Sequence, residues 1–145
     1  MANVLDMVTL YGVSLWKYHG SLVFTSFLLL VAGMFMARYR PGRWWLRAHR
    51  ALGAAGVAFG LLGVTAAAYM VESSTGEHLA VPHAYLGTLV VVLLLVTPSL
   101  GLAQFRFRSR AARIRPLHRW SGRTTLALMA ANILAGLTLL SQILK

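Results

Sequence analysis

Three short stretches share one outline: HRALG at 49–53, HAYLG at 83–87 and HRWSG at 118–122. Each sets a glycine four residues after a histidine, one helical turn on and on the same face, and each opens or precedes a long apolar run. A further histidine, His19, lies at the start of another such run. Imidazole in an apolar helix has few uses: it ligates a metal, carries a proton or hydrogen-bonds to a neighbouring helix. Ionisable groups in such places usually serve function. A bare glycine beside the ring leaves room for a flat ligand or for a second helix.

The chain has 145 residues, 58% of them hydrophobic and only 12% charged, against roughly 25% charged in an ordinary soluble domain. Four apolar runs, 20–37, 51–71, 81–103 and 124–144, hold no charged residue. Each can cross about 30 Å of hydrocarbon as a helix. Short connections with Pro41–Gly42 and Pro116 predict an all-α, antiparallel four-helix transmembrane bundle, with helices at about 10–38, 44–71, 81–105 and 115–144 in one domain, 1–145. The segment NVLDMVTLYGVSLWKY reads as an interfacial lead-in that extends the first helix outward.

The net charge of +11 invites a nucleic-acid reading, but its placement argues against one. All twelve arginines lie between 38 and 50 or between 106 and 123, whereas Asp6, Glu72, Glu77, Lys17 and Lys145 lie towards the other side. The positive-inside rule then makes the arginine segments cytoplasmic and both termini non-cytoplasmic. The absence of cysteine removes thiolate sites and covalent c-type haem attachment.

In such a bundle His19 and His83 lie near the outer ends of diagonal helices, and His49 and His118 near the inner ends of the other two. Two facing pairs result, one per leaflet, about 20 Å apart in depth by the rise per residue. Two neutral imidazoles can fill both axial positions of a haem iron. Gly53, Gly87 and Gly122, with Gly56, Gly60 and Gly63 on the second helix, would give the macrocycle room. Glycines at such spacing also serve as plain helix-packing surfaces. His78, in the outer loop, reads as a solvated side chain.

The order and spacing of the four histidines, with ARYRPGRWWLRAHRALG, VPHAYLG and IRPLHRWSG around them, resemble the core of the eukaryotic-type cytochrome b561 family. The resemblance spans about Tyr18 to Leu140. It implies two non-covalent b haems, ligated by His19 with His83 and by His49 with His118, and transmembrane electron transfer between them. Most members of that family have six helices, and this chain matches the central four. The family's donor is ascorbate and its acceptors are monodehydroascorbate or ferric chelates. The arginine segments here contain no lysine, and a small arginine-rich chain of this kind points to a prokaryotic inner membrane, where a quinol or another partner could replace ascorbate as donor.

Arg47, Arg50, Arg119 and Arg123 flank the inner ligands, and Lys17 the outer one, as propionate or donor-side cations. The expected partners are membrane lipid, a small-molecule or quinone donor, a ferric chelate or protein acceptor, and a second copy or a larger redox complex. Two other readings stay open. One is a cytochrome b membrane-anchor subunit exchanging electrons with quinone; the other is a haem-free metal transporter, which lacks intramembrane acids and cysteines to accompany its imidazoles.

Overall fold

The computed structural model describes residues 9–10 and 13–143. Two short antiparallel strands, β1 (Thr9–Leu10) and β2 (Val13–Ser14), pair Thr9 with Ser14 and Leu10 with Val13. Four long helices follow: α1 (Leu15–Tyr39), α2 (Trp45–Glu72), α3 (Pro82–Arg106) and α4 (Ala111–Ile143). Each is long and apolar enough to cross a membrane, so the chain is a four-helix transmembrane bundle.

Two helix starts differ from expectation. α1 begins at Leu15 and not near 10, because the residues just before it pair as strands; Thr9 and Val13 are β-branched and suit that pairing. The rest of the expected lead-in, and Leu144 at the far end of the fourth helix, fall outside the described residues. α4 starts at Ala111, earlier than 115, directly after a 3₁₀ turn at Arg108–Arg110. The alanines and arginines of AARIR are good helix formers, and Pro116 inside the helix removes only one backbone hydrogen bond.

The turns carry their own chemistry. Arg40 ends α1 in the left-handed region, φ 49°, and its N–H reaches the Met36 carbonyl just before Pro41 stops the helix. Pro82 at the first turn of α3 needs no N–H partner there. Between α2 and α3, Ser73 and Ser74 bond back to the Tyr69 and Met70 carbonyls, and Gly76 takes φ 72°.

Packing divides the bundle into two hairpins, α1–α2 and α3–α4, which touch each other over much less of their length than their own helices do. Gly56, Gly60 and Gly63 are buried. A Cβ at Gly56 would lie 2.7 Å from Leu30, at Gly60 2.9 Å from Leu94 and Ser26, and at Gly63 2.8 Å from Val23. These glycines therefore set the close approach of α2 to α1, and at Gly60 to Leu94 of α3. Beside Gly56 and Gly60 the space is taken by side chains of neighbouring helices. Ser26, fully buried, donates to the Gly56 carbonyl at 2.6 Å. Between the hairpins a small apolar layer closes the middle: Val90, Leu94 and Met129 are buried, with Phe27, Leu30 and Ile133 against them.

Gly56→Leu is expected to destabilise the α1–α2 hairpin by about 1–3 kcal/mol, because the Leu30 side chain must give way and the Ser26 carbonyl lies 3.3 Å from the added Cβ. Gly53→Leu, at a position with nothing within 4 Å of an added Cβ, is expected to leave that contact intact. Thermal unfolding of the two variants in detergent, followed by circular dichroism, distinguishes them.

Candidate functional site

Four histidines form two pairs, each spanning the two hairpins. His19 on α1 faces His83 on α3, with ring centres 6.2 Å apart and ring planes at 84°. His49 on α2 faces His118 on α4 at 6.1 Å and 83°. The first pair lies at the end of the bundle that carries the α2–α3 loop. The second lies at the arginine end.

Every one of the four rings is tied at Nδ1 to a backbone carbonyl of the other helix in its own hairpin. His19 donates to Gly63 O at 2.8 Å and His49 to Gly33 O at 2.8 Å. His83 donates to Asn132 O at 3.0 Å and His118 to Thr97 O at 2.9 Å. A carbonyl can only accept, so Nδ1 carries the proton in each ring and the Nε2 lone pair is left free. Tying the second nitrogen to a carbonyl is the usual way to hold a metal-ligating imidazole in its tautomer and orientation.

The spacing of the pairs can be tested against that role. Two imidazoles on opposite sides of one metal, each bonded at about 2.0–2.1 Å, have ring centres roughly 6.3 Å apart once the ring radii are added. Both observed separations match. Each pair supplies only two ligands, and among the described residues no group of three or more His, Cys, Asp or Glu side chains could hold a metal. A metal between these rings therefore needs its remaining ligands from a group other than the protein.

The accepting carbonyls follow a rule that the sequence reading missed. Each lies fourteen residues beyond its own helix's histidine: Gly33 after His19, Gly63 after His49, Thr97 after His83 and Asn132 after His118. Fourteen residues is about 21 Å of helix, which is therefore the depth between the two pairs. Eighteen residues beyond each histidine, five full turns and hence the same face, stand Ala37, Ala67, Gly101 and Gly136. A Cβ at Gly101 would meet the His118 ring at 3.1 Å, and one at Gly136 the His83 ring at 2.8 Å. The glycines in closest contact with the rings are these two. A histidine followed five turns later by a small residue, four times over, is the signal that would have found them.

The glycines singled out by sequence have other surroundings. Gly53 opens onto free space, Gly122 faces the Thr97 methyl at 3.6 Å, and Gly87 faces the Asn132 carboxamide at 3.3 Å. Gly53 and Gly122 line a cleft of about 1870 Å³ at the arginine end that also contains His49 and His118, larger than the 300–1,000 Å³ of an ordinary ligand pocket. Arg47, Arg50, Arg119 and Arg123 line the same cleft. Arg50 stacks over Phe105 and Arg123 over Trp120, at 5.8 and 5.3 Å. Lys17 lies 5.4 Å over Trp16, two residues from His19. Thr97, Ser121 and Thr125 form a hydroxyl cluster beside the carbonyl that receives His118. His78 pairs with Glu72 at 2.9 Å in the exposed loop, outside both histidine pairs.

A family model described as eukaryotic cytochrome b561 matches residues 16–143. No curated protein and no solved structure gives a significant match.

Gly136→Val is expected to displace the His83 ring and leave His118 in place, and Gly101→Val to do the reverse. Histidine-selective ¹⁵N NMR of the purified protein reads the loss of each Nδ1–H···O=C bond separately.

Proposed function

The chain belongs to the eukaryotic cytochrome b561 family, and from that premise we propose that it holds two b haems, one between His19 and His83 and one between His49 and His118, and carries electrons from one to the other across the bilayer. The family binds haem b and transfers electrons across membranes, and this chain is an integral membrane protein of that kind. The observation that carries the two-haem reading is the pair of ring separations, 6.2 and 6.1 Å, with all four Nδ1 atoms tied to carbonyls.

A haem held by His19 with His83, or by His49 with His118, would supply one-electron redox chemistry rather than oxygen activation. The protein's residues do the rest. The four carbonyls keep Nε2 as the ligating atom. Gly53, Gly87 and Gly122 leave the histidine-bearing faces free of branched side chains. Arg47, Arg50, Arg119 and Arg123 would offer guanidinium forks to the carboxylates of a haem held at the arginine end, and Lys17 an ammonium to one held at the other. The layer of Val90, Leu94 and Met129, with Phe27 against it, keeps water and ions out of the space between the sites. A haem-free transporter reading fares worse, since two imidazoles per site are too few ligands for a bound zinc or copper ion.

The positive-inside rule puts the arginine end in the cytoplasm and the termini outside, in a prokaryotic inner membrane. Electrons then enter from a quinol or small-molecule donor on the cytoplasmic side or within the membrane. They leave to a ferric chelate or protein acceptor outside. The whole chain acts as one dihaem unit.

A pyridine haemochrome assay on fully loaded protein is expected to give two haems per chain; one or none overturns the assignment. His118→Leu is expected to lose the arginine-end haem alone. Loss of both from a chain that keeps its helical content would show that the pairing is wrong.

The donor is tested by stopped-flow reduction in liposomes at two ionic strengths. Reduction by a quinol is expected to be nearly indifferent to salt, since a neutral donor feels no steering. Fast, strongly salt-dependent reduction by ascorbate from the arginine side would restore the family's usual donor.

A further inference from the structure

The arginine-end cleft is charged beyond what the ligand site needs. Besides the four guanidiniums beside His49 and His118, Arg38 and Arg40 line it from the α1–α2 hairpin and Arg108 and Arg115 from the α3–α4 side. The sequence has three acids, of which Glu72 and Glu77 lie at the opposite end of the bundle and Asp6 precedes the described residues. No salt bridge from any arginine occurs among the described residues. Two haem propionates could offset only part of this charge. Like charges on two facing walls repel, and they do so more strongly beside a low-dielectric membrane interior.

Aromatic rings lie against several of these arginines. Arg38 lies over Tyr39 and Arg40 over Trp45, at 6.0 and 5.0 Å; Phe105 and Trp120 hold Arg50 and Arg123 in the same manner. Aromatic rings of this kind gather at the membrane–water interface, level with lipid head groups. The walls between the arginines are apolar, with Met34, Leu46 and Leu102 among the lining side chains, and suit acyl chains. A basic head-group-level pocket between membrane helices has the chemistry of an anionic-lipid site.

We propose that the mouth of this cleft seats an anionic phospholipid, its phosphate bridging Arg38 and Arg40 on one hairpin to Arg108 and Arg115 on the other. The bound phosphate offsets the repulsion between the walls and ties together two hairpins that touch each other sparingly. The site does not depend on the identity of the electron donor.

Four arginines outside the cleft lining, Arg43, Arg106, Arg110 and Arg113, provide an internal control. The full-length holoprotein is reconstituted in phosphatidylcholine vesicles with or without phosphatidylglycerol, extracted in mild detergent, and assayed for retained lipid by native mass spectrometry. Wild type is expected to retain phosphatidylglycerol in preference to phosphatidylcholine. Replacing Arg38, Arg40, Arg108 and Arg115 together by Gln is expected to cut that retention at least tenfold, since each arginine near anionic head groups is worth roughly a factor of five. The same replacement at Arg43, Arg106, Arg110 and Arg113 removes equal charge and is expected to leave most of it. Equal losses in the two variants would show a diffuse charge effect and overturn the site. Equal retention of both lipids by wild type would do the same. Displacement by millimolar inorganic phosphate would assign the cleft to a free anion instead. Haem content confirms that each variant is folded. If the first variant does not fold, the single changes Arg38→Gln and Arg115→Gln replace it, compared with Arg43→Gln.

Discussion

The bond from a histidine Nδ1–H to a backbone carbonyl on the adjacent helix, made four times, is the constraint on which the rest of the structure depends. A free imidazole in an apolar bundle can turn about its side-chain torsions and can exchange tautomers. Tied at Nδ1, it can do neither without breaking that hydrogen bond and leaving a part-buried donor unpaired. Within a hairpin the ties are reciprocal: α1 and α2 each give a ring and receive one, and so do α3 and α4. The same four bonds that orient the rings also lock the register of each helix pair.

Ligand pairing then runs across the hairpins, at right angles to that reciprocity. Each hairpin contributes one imidazole to the upper pair and one to the lower pair, so neither site is complete within a hairpin. Between the hairpins, buried side-chain packing includes a thin layer of Leu94, Val90 and Met129. The arrangement puts the two histidine pairs about 21 Å apart in depth with an apolar layer between them. Electrons can tunnel through such a layer, whereas an ion would pay a large desolvation cost to enter it.

The charge distribution serves a different end from the histidines. Positive charge is gathered at one end, and a single-sign field of this kind attracts anions. Several of those arginines line the same cleft as His49 and His118. At the opposite end the charges are few, and His78 and Glu72 partly satisfy one another.

Sequence by itself determined the four helices, their alternation, the division of charge between the two ends and which histidines stand at which depth. Hydrocarbon thickness and the 1.5 Å rise leave little freedom once four charge-free runs are present. It also fixed the five-turn interval from His83 to Gly101 and from His118 to Gly136, although that pattern becomes visible only once the accepting carbonyls are known. Tertiary structure decided what spacing along a chain cannot: which side of each helix meets which neighbour. Gly56 and Gly60 share a helical stripe with Gly53, yet Leu30, Ser26 and Leu94 fill the space beside the first two, and the third faces an open cleft. A glycine's sequence reports only that no side chain is there. What enters the gap, a neighbouring helix or a ligand, depends on how two helices cross, and that is settled by packing between residues distant in the chain.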